Sequence, residues 1–184
     1  MNEDFESFNN YQNGGIFASG PLFGGFANFA SSTNSNIMWI IEPGGGAGWG
    51  LGGTNGAASA HGGAKAAGLF NNNNNQLLDL TFSNPVVDFG GWFVTVNLDQ
   101  PDVPLTFAFF DSNNTFIGND SVHTVDGNYV WKGWTHAAGI SRIEMRGNLA
   151  PVMDDLQLNP VPEPATMIAA GIGLLAFARR RKSK

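Results

Sequence analysis

From Leu77 to Leu158 the chain repeats one pattern, a short segment of β-branched and aromatic residues followed by a polar turn, at intervals of roughly ten residues. LLDLTF at 77–82, VVDFGGWFVTVNL at 86–98, LTFAFF at 105–110 and Thr115–Ile117 running on toward Val122 all follow it. Asn128–Trp134, Ile140–Met145 and Val152–Leu158 continue the series. Strands at that spacing close into a sandwich or barrel. Within 86–98 the Gly90–Gly91 pair is expected to bend the strand into two pieces. Upstream, Asp4–Phe8 (DFESF) alternates apolar and acidic residues as a half-buried strand does. Ile37–Ile41 (IMWII) is a continuous apolar run stopped by Pro43 and glycines, and is expected to be a core strand. The 25 glycines and the Asn71–Asn75 run lower helix propensity, while 15 Phe and 5 Trp supply apolar area for a core. No helix longer than two turns is expected before residue 164.

Charge and composition then exclude several functions. Before Pro162 stand four basic and fourteen acidic residues, a net of −10, which repels a phosphate backbone; nucleic acid is not an expected partner. With no cysteine there is no disulfide, thiolate metal site or cysteine nucleophile. The glycines of 44–63 lack the Walker spacing and a following helix, so they are expected to form a surface loop. Asp111–Thr115 has alternating oxygens, yet Phe116 stands where an EF-hand needs glycine and Val122 where it needs glutamate; a hairpin turn is expected. His61, His123 and His136 have no second histidine nearby, which gives zinc little support. No Gly-x-Ser-x-Gly elbow is present, and nothing selects a carboxylate pair for glycoside hydrolysis, so catalysis is not expected.

The end of the chain is of a different kind. Pro162 and Pro164 make VPEP an extended, exposed joint. Ala165–Ala178 then runs fourteen residues without a charge, and Arg179, Arg180, Arg181 and Lys182 follow directly. At about 1.5 Å per residue the apolar run spans about 21 Å, less than a bilayer core of roughly 30 Å. The basic flank matches a cytoplasmic stop whose long stems snorkel, and the run has no polar face, so a membrane helix is favoured over a packed soluble one.

Val161, Pro162, Glu163 and Pro164, the small-residue apolar run and the arginine-rich end through Arg179–Arg181 resemble the sorting signal of PEP-CTERM proteins. The resemblance implies a Gram-negative exported protein, recognised by an exosortase, cut near Pro162–Pro164, and delivered to the cell surface or an extracellular matrix. Such proteins begin with a signal peptide, whereas Asn2–Phe5 carries neither a basic nor an apolar leader. The leader is therefore expected upstream of this Met1.

Residues 1–159 also resemble galactose-binding-like jelly rolls and carbohydrate-binding modules. The residues that carry this are Phe5–Glu6, Phe89–Trp92, Phe110–Asp111, Phe116–Gly118, Gly139–Ile143 and Met153–Leu156. The implied arrangement is an all-β antiparallel sandwich at 1–159 with a Gly-rich loop at 43–63, followed by a sorting signal at 160–184 with a short C-terminal transmembrane helix. In such sandwiches the first and last strands lie side by side and often share a structural calcium. Glu6 with Asp154 or Asp155 offers the hard oxygens calcium prefers; the alternative is that these acids are solvated strand ends. Trp49, Trp92, Trp131 and Trp134 could stack on sugars or pack the core, and Trp49 and Trp134 are the candidate ligand contacts. Trp131 and Trp134, three apart on a strand, face opposite sides. Three functions follow from this: a non-enzymatic surface protein that binds polysaccharide, a spacer without a small ligand, or a secreted hydrolase.

Overall fold

The computed structural model describes residues 1–6, 8, 19–31, 37–41, 60–70, 76–94, 104–123, 128–147 and 152–161. Along the chain these residues form β1 (Asn2–Glu3), β2 (Ser19–Leu22), β3 (Ala27–Ser31), β4 (Ile37–Ile41), β5 (Ala66–Phe70) and β6 (Gln76–Val94). β7 (Leu105–Phe110), β8 (Phe116–Val122), β9 (Val130–Gly147) and β10 (Val152–Pro160) follow, and the helical content among the described residues is one 3-10 turn at Phe23–Gly25. All pairings are antiparallel.

Two long strands, β6 and β9, organise everything else. The first half of β6 pairs with β3 (Phe82 with Ala27, Leu80 with Phe29), and the second half pairs with β10 (Phe89 with Leu158, Trp92 with Asp154). β9 lies beside β6 along its whole length, but only its Arg142–Arg146 stretch pairs with β7. Each long strand therefore belongs to two sheets. The first sheet runs β2-β3-β6-β9-β7-β8, and the second runs β4-β5-β10-β6-β9, with β1 added to β10. The two fold over one another, since Phe93 and Trp134 of the second approach Phe107 of the first at 5.1 and 4.5 Å between ring centroids. Phe5, Phe29, Leu80, Phe89, Phe93, Phe107, Ile143 and Met145 are fully buried between them. Burying each such side chain contributes roughly 1.5–3 kcal/mol.

The bend differs from the expected one. Gly90 and Gly91 pair in register with Gly133 and Lys132. Against β9 the register shifts fall between Thr81 and Val86, where Pro85 has no N–H for the ladder and the Ser83 amide bonds Phe26 O at 2.9 Å, and between Val86 and Asp88; against β10 a bulge between Asp154 and Gln157 lies opposite Gly91. β4 is a strand as expected, but it stands at the edge, paired with β5 alone among the described residues, rather than in the middle of a sheet.

DFESF is not a strand. Pairing with β10 ends at Glu3, opposite Leu156. Phe5 then takes a positive φ of 61°, and its carbonyl accepts the Phe8 amide in a turn. Local carboxylates outcompete the ladder here: Asp4 Oδ1 takes the Glu6 amide, and buried Glu3 takes the amides of Phe5 and Phe23 at 3.3 and 2.7 Å. Phe5 still reaches the core. The Asp111–Thr115 segment is the expected hairpin turn, with Asp111 Oδ1 accepting the Asn113 and Thr115 amides at 2.9 and 2.8 Å.

Candidate functional site

The strand Arg142–Arg146 alternates Arg142, Glu144 and Arg146 with the buried Ile143 and Met145, so its polar side chains project from the outer surface of the first sheet. Register sets their neighbours. Arg142 lies opposite Phe110, Glu144 opposite Ala108 and Arg146 opposite Thr106; across β7, Ala108 faces Asn119 and Thr106 faces Ser121. The result is a groove of about 640 Å³ lined by Pro104, Thr106, Phe107, Ala108, Phe116, Asn119, Asp120, Ser121, Glu144 and Arg146. Phe116, 56% exposed, closes one end.

The floor of this groove is held in place. Arg142 bonds Asp79 at 2.9 Å and Asn114 at 3.0 Å, bonds Glu144, and lies 3.8 Å over the Phe110 ring. Partial burial works against its charge, but the hydrogen bonds to Glu144 and Asp79 outweigh this and hold the guanidinium above its ordinary value. Arg146, half exposed, sits 3.7 Å from the other Glu144 oxygen with most of its donors directed to solvent. On the groove wall Asp120 accepts from Lys132 Nζ at 3.0 Å and from Trp134 Nε1 at 2.9 Å. Its carboxyl is held below the usual range, first by the Lys132 hydrogen bond and then by the Ser121 amide and Trp134.

Trp134 itself is packed among Phe89, Phe93, Phe107 and Phe109, stacked on Phe89 at 5.9 Å and 12°. Its ring faces are taken by the core, so it touches the groove only through Asp120. Trp49 lies outside the described residues, as do Pro162, Glu163, Pro164, Arg179, Arg180, Arg181 and the apolar run 165–178. No helix among the described residues is long and apolar enough to cross a membrane. Val161 is described, and its amide donates to Pro85 O at 2.9 Å where β10 ends.

The carboxylates expected to share a calcium do converge, on the turn 61–65. Asp154, fully buried, accepts the His61 and Gly62 amides on Oδ2 at 2.8 and 3.1 Å and the Asp155 amide on Oδ1 at 2.8 Å. Burial pushes its pKa up to about 6 in spite of these donors. Asp155, at a positive φ in the β10 bulge, bonds His61 Nδ1 at 2.9 Å. Glu6 Oε1 takes the Ala64 and Lys65 amides at 2.6 and 2.7 Å, and the Lys65 ammonium bonds the carbonyls of Glu6 and Phe8. So arranged, the oxygens face N–H donors, and a cation already occupies the nearby carbonyls. Among the described residues no three His, Asp or Glu side chains are grouped closely enough to hold a metal ion. Glu6, Asp154 and Asp155 form a clasp on the turn 61–65.

At the end of the chain, residues 160–182 match the family described as the PEP-CTERM protein-sorting motif. The chain ends in a PEP-CTERM sorting signal. A motif of this kind indicates an exported protein sorted to the cell envelope. No curated protein matches this chain's sequence. Among solved structures, its sandwich is similar to the K2 cleaved adhesin domain of Lys-gingipain, at 12% identity and a TM-score of 0.52 over 88% of this chain and 98% of that one. It is also similar to the xylan-binding CBM22-1 domain of a Paenibacillus barcinonensis protein, at 15% identity and a TM-score of 0.46 over 84% of this chain and 99% of that one. At 12% identity the likeness to the adhesin domain is one of fold alone.

Proposed function

We propose that this PEP-CTERM protein is a non-enzymatic polysaccharide-binding protein of the cell surface or extracellular matrix, and that the groove over β7, β8 and β9 is its binding cleft. The observation that carries this is the groove's make-up: an exposed Phe116 ring beside a row of charged and amide side chains whose geometry the Arg142 network fixes beforehand. An aromatic face suits the apolar C–H side of a pyranose, while Asn119, Ser121, Glu144 and Arg146 suit its hydroxyls.

Binding fits the groove better than turnover does. Glycoside hydrolysis requires one carboxylic acid kept protonated at working pH beside a second, ionised one. Asp120 is held ionised, and Glu144 is engaged by two guanidinium groups. Among the described residues, the carboxyl that is pushed up, Asp154, lies in the other sheet.

The test is a glycan array probed with the full-length chain, in calcium and in chelator. Phe116→Ala and Arg146→Ala should each weaken any glycan bound by wild type at least about tenfold, with the unfolding transition unchanged. Equal binding by wild type and both variants would refute the cleft; binding to no glycan would favour a spacer. A requirement for calcium would mean that the Glu6–Asp154 clasp rearranges to receive the ion.

A further inference from the structure

We infer that the opposite face of the sandwich carries a second, independent saccharide platform centred on Trp131, so that one molecule bridges two polysaccharide chains. The bridging rests on the groove proposed above; the platform does not.

Trp131 and Trp134 straddle β9. Trp134 points into the core, so Trp131 points out of the second sheet, whereas the groove opens from the first. Trp131 is 40% exposed, and among the described residues the other large apolar side chains so exposed are Met1, Phe116 and Val130. A buried alternative would have served packing better, so the position of the ring calls for an explanation.

The sheet beneath Trp131 is shaped to hold it. Gly90 and Gly133 are paired directly opposite one another. A Cβ on Gly90 would come within 3.1 Å of Trp131 Cζ2, and one on Gly133 within 3.5 Å of Nε1. The indole thus lies over a pair of residues without side chains, its underside against backbone and its upper side toward solvent. Its edge is fixed by Trp92, opposite it in register, with centroids 5.8 Å apart at 67°. Trp92 is in turn backed by His61, stacked at 3.9 Å and 15°, and His61 is pinned by Asp155. A rigid ring with one free face loses little conformational freedom on binding a flat ligand.

Polar groups continue from the ring along the same face. Asp88 and Thr135 pair one step beyond the glycines, joined by a 2.8 Å hydrogen bond, and Asn159 donates to the other Asp88 oxygen at 3.2 Å. Gln157, opposite Gly90, is exposed. Together these side chains offer hydroxyl partners at the edge of a stacked pyranose. The occupant is an uncharged polysaccharide. Asp88 and Asp155 border the platform, and the chain before Pro162 carries a net charge of −10, so a polymer of uronate or sulfate groups is repelled.

The experiment is calorimetric titration of the full-length chain with β-1,4-linked gluco-, xylo- and galacto-hexasaccharides, and with an alginate hexasaccharide as anionic control. Wild type should bind one of the uncharged probes at two sites per chain. Trp131→Ala should remove one site, Trp131→Phe should retain it, and Phe116→Ala should remove the other. The matching soluble polysaccharide should turn cloudy with wild type and stay clear with either alanine variant. As a measurement that needs no variant, the bound hexasaccharide should reduce acrylamide quenching of the exposed indole at least about twofold. Unchanged stoichiometry in Trp131→Ala, or unchanged quenching, overturns the platform. A single site lost in Trp131→Ala and kept in Phe116→Ala supports the platform and sinks the groove and the bridge. Binding of none of the probes overturns platform and groove together.

Discussion

Replacing Asp154 with asparagine should remove a fall in the protein's stability between pH 4 and pH 7. The carboxyl is fully buried and its pKa is pushed up to about 6, against 3.8 for the ordinary group. Between those values the folded chain binds more protons than the unfolded one, so stability falls as pH rises through that window and levels off above it. Two units at about 1.36 kcal/mol each put the cost of the charged form at about 3 kcal/mol. Asparagine carries no charge at any pH and keeps an oxygen for the His61 and Gly62 amides, but its NH2 group stands where Oδ1 accepts the Asp155 amide, so that hydrogen bond is lost. Asp154→Asn should therefore lie about 1–3 kcal/mol below wild type near pH 4 and gain about 3 kcal/mol on it by pH 7. The assay is urea unfolding at half-unit steps from pH 4 to 7 in chelator. Parallel curves for the two proteins would show that the three amides fully sustain the charge. Repeating the series in calcium distinguishes a further case, since an ion bound at Asp154 would abolish the wild-type slope.

Other substitutions probe other parts of the molecule. Gly63 has φ +60°, and a Cβ there would come within 2.3 Å of Glu6 Oε1, so Gly63→Ala should cost about 1–3 kcal/mol in thermal or urea unfolding as Glu6 lets go of the Ala64 and Lys65 amides. Trp134→Ala should cost about 3–5 kcal/mol by opening a cavity among four phenyl rings, while Trp134→Phe should lose far less and leave Asp120 short of one donor. In the native host, replacing Pro162, Glu163 and Pro164 together by alanine should leave the uncut chain in the membrane fraction on an immunoblot, whereas wild type should be shortened by the length of its tail; equal processing of both would refute the role of that box.

Much of the fold was legible because strand residues in β7 and in the 142–146 stretch of β9 alternate between core and surface. Ile143 and Met145 announce the buried side, and Arg142, Glu144 and Arg146 the other. β2, β3 and β5 were not legible: SGPL, ANFAS and AAGLF are rich in small residues, and they become strands through the ladders that β3 forms with β6 and β5 forms with β10. The groove was half visible. Its charged row shows in the alternation of 142–146, but Phe116 and Asn119 join that row only through the register of β7 with β8. Spacing placed Trp131 and Trp134 on opposite sides of a strand, yet could not say which faced inward; the pairing of Trp134 with Phe89 decides it. Glu6, Asp154 and Asp155 all bond the turn 61–65. That turn lies 92–94 residues from its Asp154 and Asp155 contacts and 58–59 from its Glu6 contacts, and has no sequence signal beyond its glycines.

The sorting tail leaves directly from β10, and this determines how the body would bear load. β10 has β6 along one side and β1 and β5 along the other, so it is an interior strand for most of its length. A pull arriving through Val161 runs parallel to that strand and strains its ladder bonds all at once, rather than opening them one after another as at a free edge. A protein tethered by such a strand and gripped elsewhere by a stiff polymer resists shear far better than peeling, which suits an attachment that flow tugs from the side.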